Sequence, residues 1–182
     1  MGGDGSIYLA LKYPDVFSVA APVSGTYYWE RDPIWQRAIG NFDKLPEDFC
    51  DIHTLGWEVR ALYASAAATA SNPDKPPFYL DTPLAIVDGK TQIVPEVFDK
   101  IAASDPAHEV DRFLAQPERL NAILILHGEG DNFGPVELAR DFDQLLSDRG
   151  VEHEYLEVNG GHCDFLFTPV VTFMSAHLVG EK

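Results

Sequence analysis

Two residues have the side chains and surroundings that acid–base chemistry needs. Asp131 stands in the loop His127-Gly128-Glu129-Gly130-Asp131-Asn132-Phe133-Gly134, directly after the apolar run Ala122–Leu126. His162 stands in Asn159-Gly160-Gly161-His162-Cys163-Asp164, after a second strand-like stretch that ends at Val158. A carboxylate and an imidazole at neighbouring strand ends suit an orienting acid and a general base: the acid fixes the histidine tautomer and stabilises the imidazolium. Gly160 and Gly161 ahead of His162 give the backbone room for close approach. A Gly-x-Ser-x-Gly nucleophile motif is not found, since Asp4 stands two positions before Ser6 and Pro22 two before Ser24. Ser6 reads as a packing residue one turn into a helix. Cys163 adjoins the base, but adjacent side chains in a loop diverge, which argues against it as the nucleophile. His127 reads as a structural residue at a strand end, His177 as a core-facing helix residue, and His53, His108 and His153 as surface residues. No pair of residues has zinc-ligand spacing and neither Cys50 nor Cys163 sits in a CxxC context, so no metal and no cofactor is predicted.

These loops need strands and helices behind them. Ala122–Leu126 is a continuous apolar run, the pattern of a parallel strand covered on both faces. Pro135 opens a helix with Leu138, Ala139, Phe142, Leu145 and Leu146 on one face, stopped by Gly150. Glu152–Val158 reads as an edge strand blunted by its own acids. A final helix from Pro169 gathers Val170, Val171, Met174, His177 and Leu178. Near the start, Ile7, Tyr8, Ala10 and Leu11 fall at helical spacing until Tyr13-Pro14 breaks the pattern, and Val16–Val23 reads as a buried strand. Strand, helix, strand, helix in this order predicts a doubly wound α/β arrangement with a parallel sheet and flanking helices. Residues 26–121 are less regular. They hold predicted helices over 58–69 and from Pro95 to Ala103, with the breaker cluster Ser71–Pro77 between them, and read as an irregular, partly helical, lid-like insertion in a single domain spanning 1–182. Tyr27, Tyr28 and Trp29 either line an acyl or aryl pocket or pack a core.

Composition narrows the possible partners. The 182 residues carry 13 Lys+Arg against 29 Asp+Glu, a formal net charge of −16. Such a chain cannot neutralise a run of phosphates, so no nucleic-acid partner is predicted. Anchoring to an anionic membrane is disfavoured for the same reason, and no apolar run approaches the roughly 18–20 residues that span a bilayer. At 46% hydrophobic residues the chain can bury a core. Two cysteines exclude a disulfide scaffold without fixing the redox compartment, and the oligomeric state is not readable.

The motifs together resemble the α/β-hydrolase esterases of the esterase D-like family, which includes S-formylglutathione hydrolases, feruloyl esterases and enterobactin esterases. The nucleophile elbow of that family commonly reads Gly-[His/Tyr]-Ser-Met-Gly-Gly, and this chain begins Met1-Gly2-Gly3. Tyr13-Pro14-Asp15-Val16-Phe17, Ala21-Pro22-Val23-Ser24-Gly25, His127-Gly128-Glu129-Gly130-Asp131 and Gly160-Gly161-His162 follow the family's order Ser, Asp, His. The resemblance covers both ends of the chain, with a looser match through Pro76-Pro77-Phe78-Tyr79-Leu80. It implies the C-terminal portion of an α/β-hydrolase domain beginning just after the serine, with Asp131 as triad acid, His162 as general base and the backbone N–H of Met1 as an oxyanion-hole donor. The implied activity is serine hydrolysis of a small-molecule carboxylic ester, and the chain without its serine is expected to be inactive. The alternatives are acyl transfer on the same scaffold and a non-catalytic α/β binding module. The first helix is expected to lack partners, as one built to pack on upstream strands.

Overall fold

The structure, a computed structural model, describes residues 2–40 and 44–178. In chain order its helices and strands are α1 (Gly2–Lys12), β1 (Val19–Ala20), α2 (Ile34–Gly40), α3 (Phe49–Thr54), α4 (Trp57–Thr69), β2 (Leu84–Val87), β3 (Lys90–Ile93), α5 (Pro95–Ala102), α6 (Pro106–Ala115), β4 (Ala122–Gly128), α7 (Val136–Asp148), β5 (Glu154–Val158) and α8 (Thr168–His177). The chain divides into two units, one of Met1–Trp29 with Asp105–Lys182 and the other of Glu30–Ser104.

In the first unit, β1, β4 and β5 form a parallel sheet in the order β1-β4-β5. The middle strand, β4, is the apolar run found in the sequence, and Ile123 through Gly128 are all buried. Alternate side chains of a strand point to opposite faces, and β4 feeds two cores accordingly. Ile123 and Ile125 join Ile7 and Leu11 of α1, Val110 and Phe113 of α6, and Ala139, Phe142 and Leu146 of α7. Leu124 joins Val19 and Phe173, with Met174 packed alongside. Helices therefore cover both faces of the sheet, and the α/β fold with a parallel sheet and flanking helices is as the sequence predicts.

Three details correct the sequence reading. The first strand is short: Val16 and Phe17 are exposed, and regular pairing covers only Val19–Ala20. The register nevertheless continues to a bridge between Val23 and Leu126, because Pro22, which has no N–H to give, still accepts from Leu126 N–H at 3.0 Å. The last helix buries Phe173 and exposes Val171, and Leu178 just past its end is exposed as well. Val170, Val171, Phe173 and Met174 follow one another too closely to share a face, so its sequence did not mark one inward stripe. Helix α1 does not lack partners. Its buried Ile7, Ala10 and Leu11 share a core with Val110 and Phe113 of α6, a helix absent from the sequence reading although Asp105-Pro106 is a fair start signal.

The second unit falls within the stretch 26–121, which also contains α6 of the first unit. It holds α2 to α5 and an antiparallel hairpin, β2–β3. Val59, Leu62, Tyr63, Ala66, Leu84, Val97 and Ile101 are buried in it. Predicted helices 58–69 and 95–103 correspond to α4 and α5. The hairpin was missed, although Asp88 and Gly89 at its tip, both with positive φ (52° and 71°), are the residues that a two-residue hairpin turn requires. Asp81 accepts from Asn72 and pairs with Lys75 and Lys100, which hold its carboxyl well below the usual range.

Phe142 is fully buried and stacks on Tyr27 with ring centroids 4.7 Å apart. Phe142→Ala should therefore lower the unfolding free energy by about 3–5 kcal/mol, read from denaturant unfolding of the purified chain. A loss below about 1 kcal/mol would show that this core is not formed.

Candidate active site

The two loops identified from sequence leave neighbouring parallel strands on the same side of the sheet, and their main chains touch. Beyond β4, Glu129 N–H donates to the Val158 carbonyl and Gly130 N–H to the Gly160 carbonyl, both at 2.9 Å. Gly128 lies beneath this crossing. A Cβ there would sit 2.5 Å from the Gly161 carbonyl oxygen and 2.7 Å from that of Gly160, so only glycine lets the loops close.

Across this junction His162 Nδ1 lies 2.9 Å from Asp131 Oδ2. The structure thus brings together the two residues singled out by sequence. The Asp131 side chain is wholly buried, whereas that of His162 is 38% exposed, as suits an anchored acid behind a reachable base. Asp131 Oδ1 accepts from Phe133 N–H (2.8 Å) and Gly134 N–H (3.1 Å), an Asx-type turn that orients the carboxylate. With Oδ1 held by the loop, Oδ2 is left for the imidazole. Burial pushes the Asp131 carboxyl up, but the Gly134 amide, the His162 ring and the Phe133 amide outweigh it and hold the group below the usual carboxylate range. An anionic acceptor at Nδ1 puts the neutral ring's proton on that nitrogen. Nε2 is then the nitrogen with a lone pair for proton transfer. The Phe133 ring lies against His162 with centroids 5.2 Å apart.

Beside His162 is a cavity of about 290 Å³ lined by Gly2, Gly3, Ser6, Val23, Ser24 and Cys163 among others. Its walls are the start of α1 and the carboxyl end of the β1 segment. These touch at Gly3, where a Cβ would collide with the Val23 carbonyl and lie 2.7 Å from Gly25 N. Met1, expected to supply an oxyanion donor, lies outside the described residues. Ser6 corrects the packing reading: it is exposed, lines this cavity, and its Oγ donates within its own helix to the Gly3 carbonyl at 2.8 Å. Cys163 is an exposed free thiol.

Sequence reasoning overlooked two positioning residues. Ser24, in the left-handed region at φ 49°, accepts the Cys163 N–H at Oγ (3.3 Å) and so ties the His162 loop to the end of β1. Asp4 Oδ1 accepts from Thr26 N–H (2.6 Å) and Tyr27 N–H (2.9 Å), fixing the turn that carries Ser24. The only sequence signal for Asp4 was an acid in the first turn of a glycine-rich helix. Tyr27 takes the core alternative, being fully buried against Phe142. His53 and His108 are exposed. His153 corrects the surface reading: its side chain is 6% exposed and joins Asp143 to the Val151 carbonyl, both at 2.8 Å. His127 is fully buried. Among the described residues no cluster of three or more His, Cys, Asp or Glu is arranged to hold a metal ion, and no helix is long and apolar enough to cross a membrane.

Two outcomes follow for this site. Gly128→Ala should separate the loops and abolish the Asp131–His162 hydrogen bond, seen as loss of a slowly exchanging His162 Nδ1 proton in NMR spectra; an unchanged signal would contradict the crossing described. Because the folded Asp131 carboxyl titrates below its unfolded value, its contribution to stability is complete above the unfolded carboxylate pKa of about 3.9. That contribution is lost as pH falls through the folded value. Wild-type stability should therefore fall more steeply on acidification below about pH 4 than that of Asp131→Asn, and parallel curves would contradict the assignment.

No family model and no curated protein sequence matches the chain. Solved structures do. S-formylglutathione hydrolase from Staphylococcus aureus, solved as the apoenzyme, matches at a TM-score of 0.53 and 19% identity over 99% of this chain and 52% of its own. The fluorophosphonate-binding serine hydrolase F of Staphylococcus aureus, solved with substrate bound, matches at a TM-score of 0.52 and 18% identity over 98% of this chain and 51% of its own. The chain thus has the α/β-hydrolase-like fold of these proteins and spans about half the length of each.

Proposed function

We propose that this chain forms part of a serine hydrolase acting on small-molecule carboxylic esters, with His162 as general base and Asp131 as the acid that orients it. The observation that carries this reading is the 2.9 Å contact between His162 Nδ1 and a buried Asp131 carboxylate at the ends of adjacent parallel strands. Catalytic groups of doubly wound folds collect at that end of the sheet. Both solved structures of the same fold are hydrolases, one of them a fluorophosphonate-binding serine hydrolase, which supports serine chemistry on this scaffold.

In this reading the nucleophilic serine lies immediately upstream of Met1, beside the cavity that His162 and the start of α1 line. The serine hydroxyl attacks the ester carbonyl while His162 Nε2 takes its proton, and Asp131 stabilises the imidazolium across Nδ1. The tetrahedral oxyanion is met by backbone amides, the Met1 N–H among them, each typically worth about 2.7–4 kcal/mol. His162 then returns its proton to the leaving alcohol, and water repeats the sequence on the acyl-enzyme. Asp131 remains ionised throughout. Its hold on Nδ1 makes Nε2 the nitrogen that cycles.

The test compares hydrolysis of a short-chain aryl ester by the 182-residue chain and by a chain extended upstream through the serine and the preceding strands. The extended chain should be active and the shorter one should not, since removing a triad nucleophile costs on the order of 10⁶ in kcat. In the extended chain, His162→Ala should cost on the order of 10⁶ and Asp131→Asn on the order of 10⁴. An extended chain with no esterase activity, or one indifferent to both substitutions, would overturn the proposal. So would activity of the shorter chain that disappears with Cys163→Ala or Ser6→Ala.

A further inference from the structure

We infer that His127 is a positioning residue for Asp131, acting as a neutral imidazole that carries its proton on Nε2. The inference rests on reading Asp131 and His162 as an acid–base pair and adds a second imidazole to the carboxylate's surroundings. His127 is wholly buried near the end of β4. Its Nε2 lies 2.8 Å from the Gly134 carbonyl oxygen and 3.6 Å from Asp131 Oδ2. Both neighbours are acceptors. A lone pair on Nε2 would face two oxygens, whereas a proton there bonds the carbonyl and leans toward the carboxylate. The other nitrogen, Nδ1, is buried with no hydrogen-bond partner. A proton on Nδ1 would thus leave a buried donor unpaired.

The consequence for the site runs through Gly134, which is gripped from both sides. Its carbonyl accepts from His127, and its amide donates to Asp131 Oδ1. By fixing this peptide His127 fixes the donor that turns Oδ1 into the loop, and that in turn leaves Oδ2 facing His162. The weaker attraction of Nε2–H for Oδ2 opposes rotation of the carboxylate. Without the Nε2 donor the Gly134 peptide can turn, the carboxylate loses its orientation, and His162 loses the acceptor that selects its tautomer. His127 does not line the cavity beside His162; it acts through Asp131.

The test is long-range ¹H–¹⁵N NMR of the histidine rings in the 182-residue chain, together with His127→Gln and His127→Phe. In wild type, His127 should carry its proton on Nε2 and His162 on Nδ1. His127→Gln keeps an amide donor near the Nε2 position and should leave His162 protonated on Nδ1. His127→Phe keeps the ring volume but has no donor, and His162 should revert to the Nε2-protonated form that free imidazoles favour. A wild-type His127 with its proton on Nδ1 would overturn the inference, as would His127→Phe with the His162 tautomer unchanged. If His127→Phe does not fold, the wild-type tautomer and His127→Gln decide, and a folded His127→Gln without Nδ1-protonated His162 counts against the inference. Failure of the hydrolase reading looks different: His162 in the wild type would then lack the Nδ1 proton, whatever the state of His127.

Discussion

Adjacent strands of a sheet lie about 4.7–4.9 Å apart, and loops leaving them commonly splay into solvent. Here they are drawn together by hydrogen bonds from Glu129 and Gly130 to the carbonyls of Val158 and Gly160, with Gly128 leaving the space in which the second loop lies over the first. The Asp131–His162 contact depends on this main-chain crossing. Two side chains set on separate loops would each lose rotamer freedom on meeting, at a cost of order 1 kcal/mol apiece. A crossing built from backbone spreads that cost over bonds that the fold makes anyway. It also gives the two side chains different surroundings: the Asp131 carboxylate is buried under the crossing, and the His162 ring stands at its open edge.

The crossing in turn depends on β4 being held from both faces. Ile123 and Ile125 are packed against α1, α6 and α7, while Leu124 meets Phe173 and Val19 from the other side. Either core alone would leave the strand free to twist, and a small change in its direction would move Gly128 off the Gly160–Gly161 carbonyls. The β1 end adds a third fastening. Asp4 takes the amides of Thr26 and Tyr27, and the turn thus formed presents Ser24 to the Cys163 amide. The loop bearing His162 is therefore tied to both β4 and the segment beyond β1.

What the sequence revealed follows from how local each signal is. The run Ala122–Leu126 announced a central strand because burial on both faces forbids polar alternation, and Asp131 and His162 were visible because glycine-rich loops follow such strands. Helix α7 was visible because its Leu138, Ala139, Phe142 and Leu146 fall on one face. Helix α8 was seen, but not its inward residue, because Val170, Val171, Phe173 and Met174 are apolar neighbours that point to different faces. The roles of Asp4, Ser24 and His127 were hidden for a different reason: each depends on a partner brought near by folding, such as Ser24 on the Cys163 amide and Asp4 on Thr26 and Tyr27. His153 was hidden in the same way, since nothing in its neighbours' types foretells its bond to Asp143. The Asp88-Gly89 hairpin and helix α6 are the opposite case, as their signals were local and went unread.

In the proposed function Asp131 and His162 serve one serine. Peptide mapping of the covalent adduct formed by a fluorophosphonate probe, on a chain extended upstream of Met1, tests it most directly. A phosphonylated serine is expected in the peptide preceding Met1, formed in wild type and suppressed in both Asp131→Asn and His162→Ala. An adduct on Ser6, Ser24 or Cys163, or labelling that proceeds equally in those two variants, would contradict it.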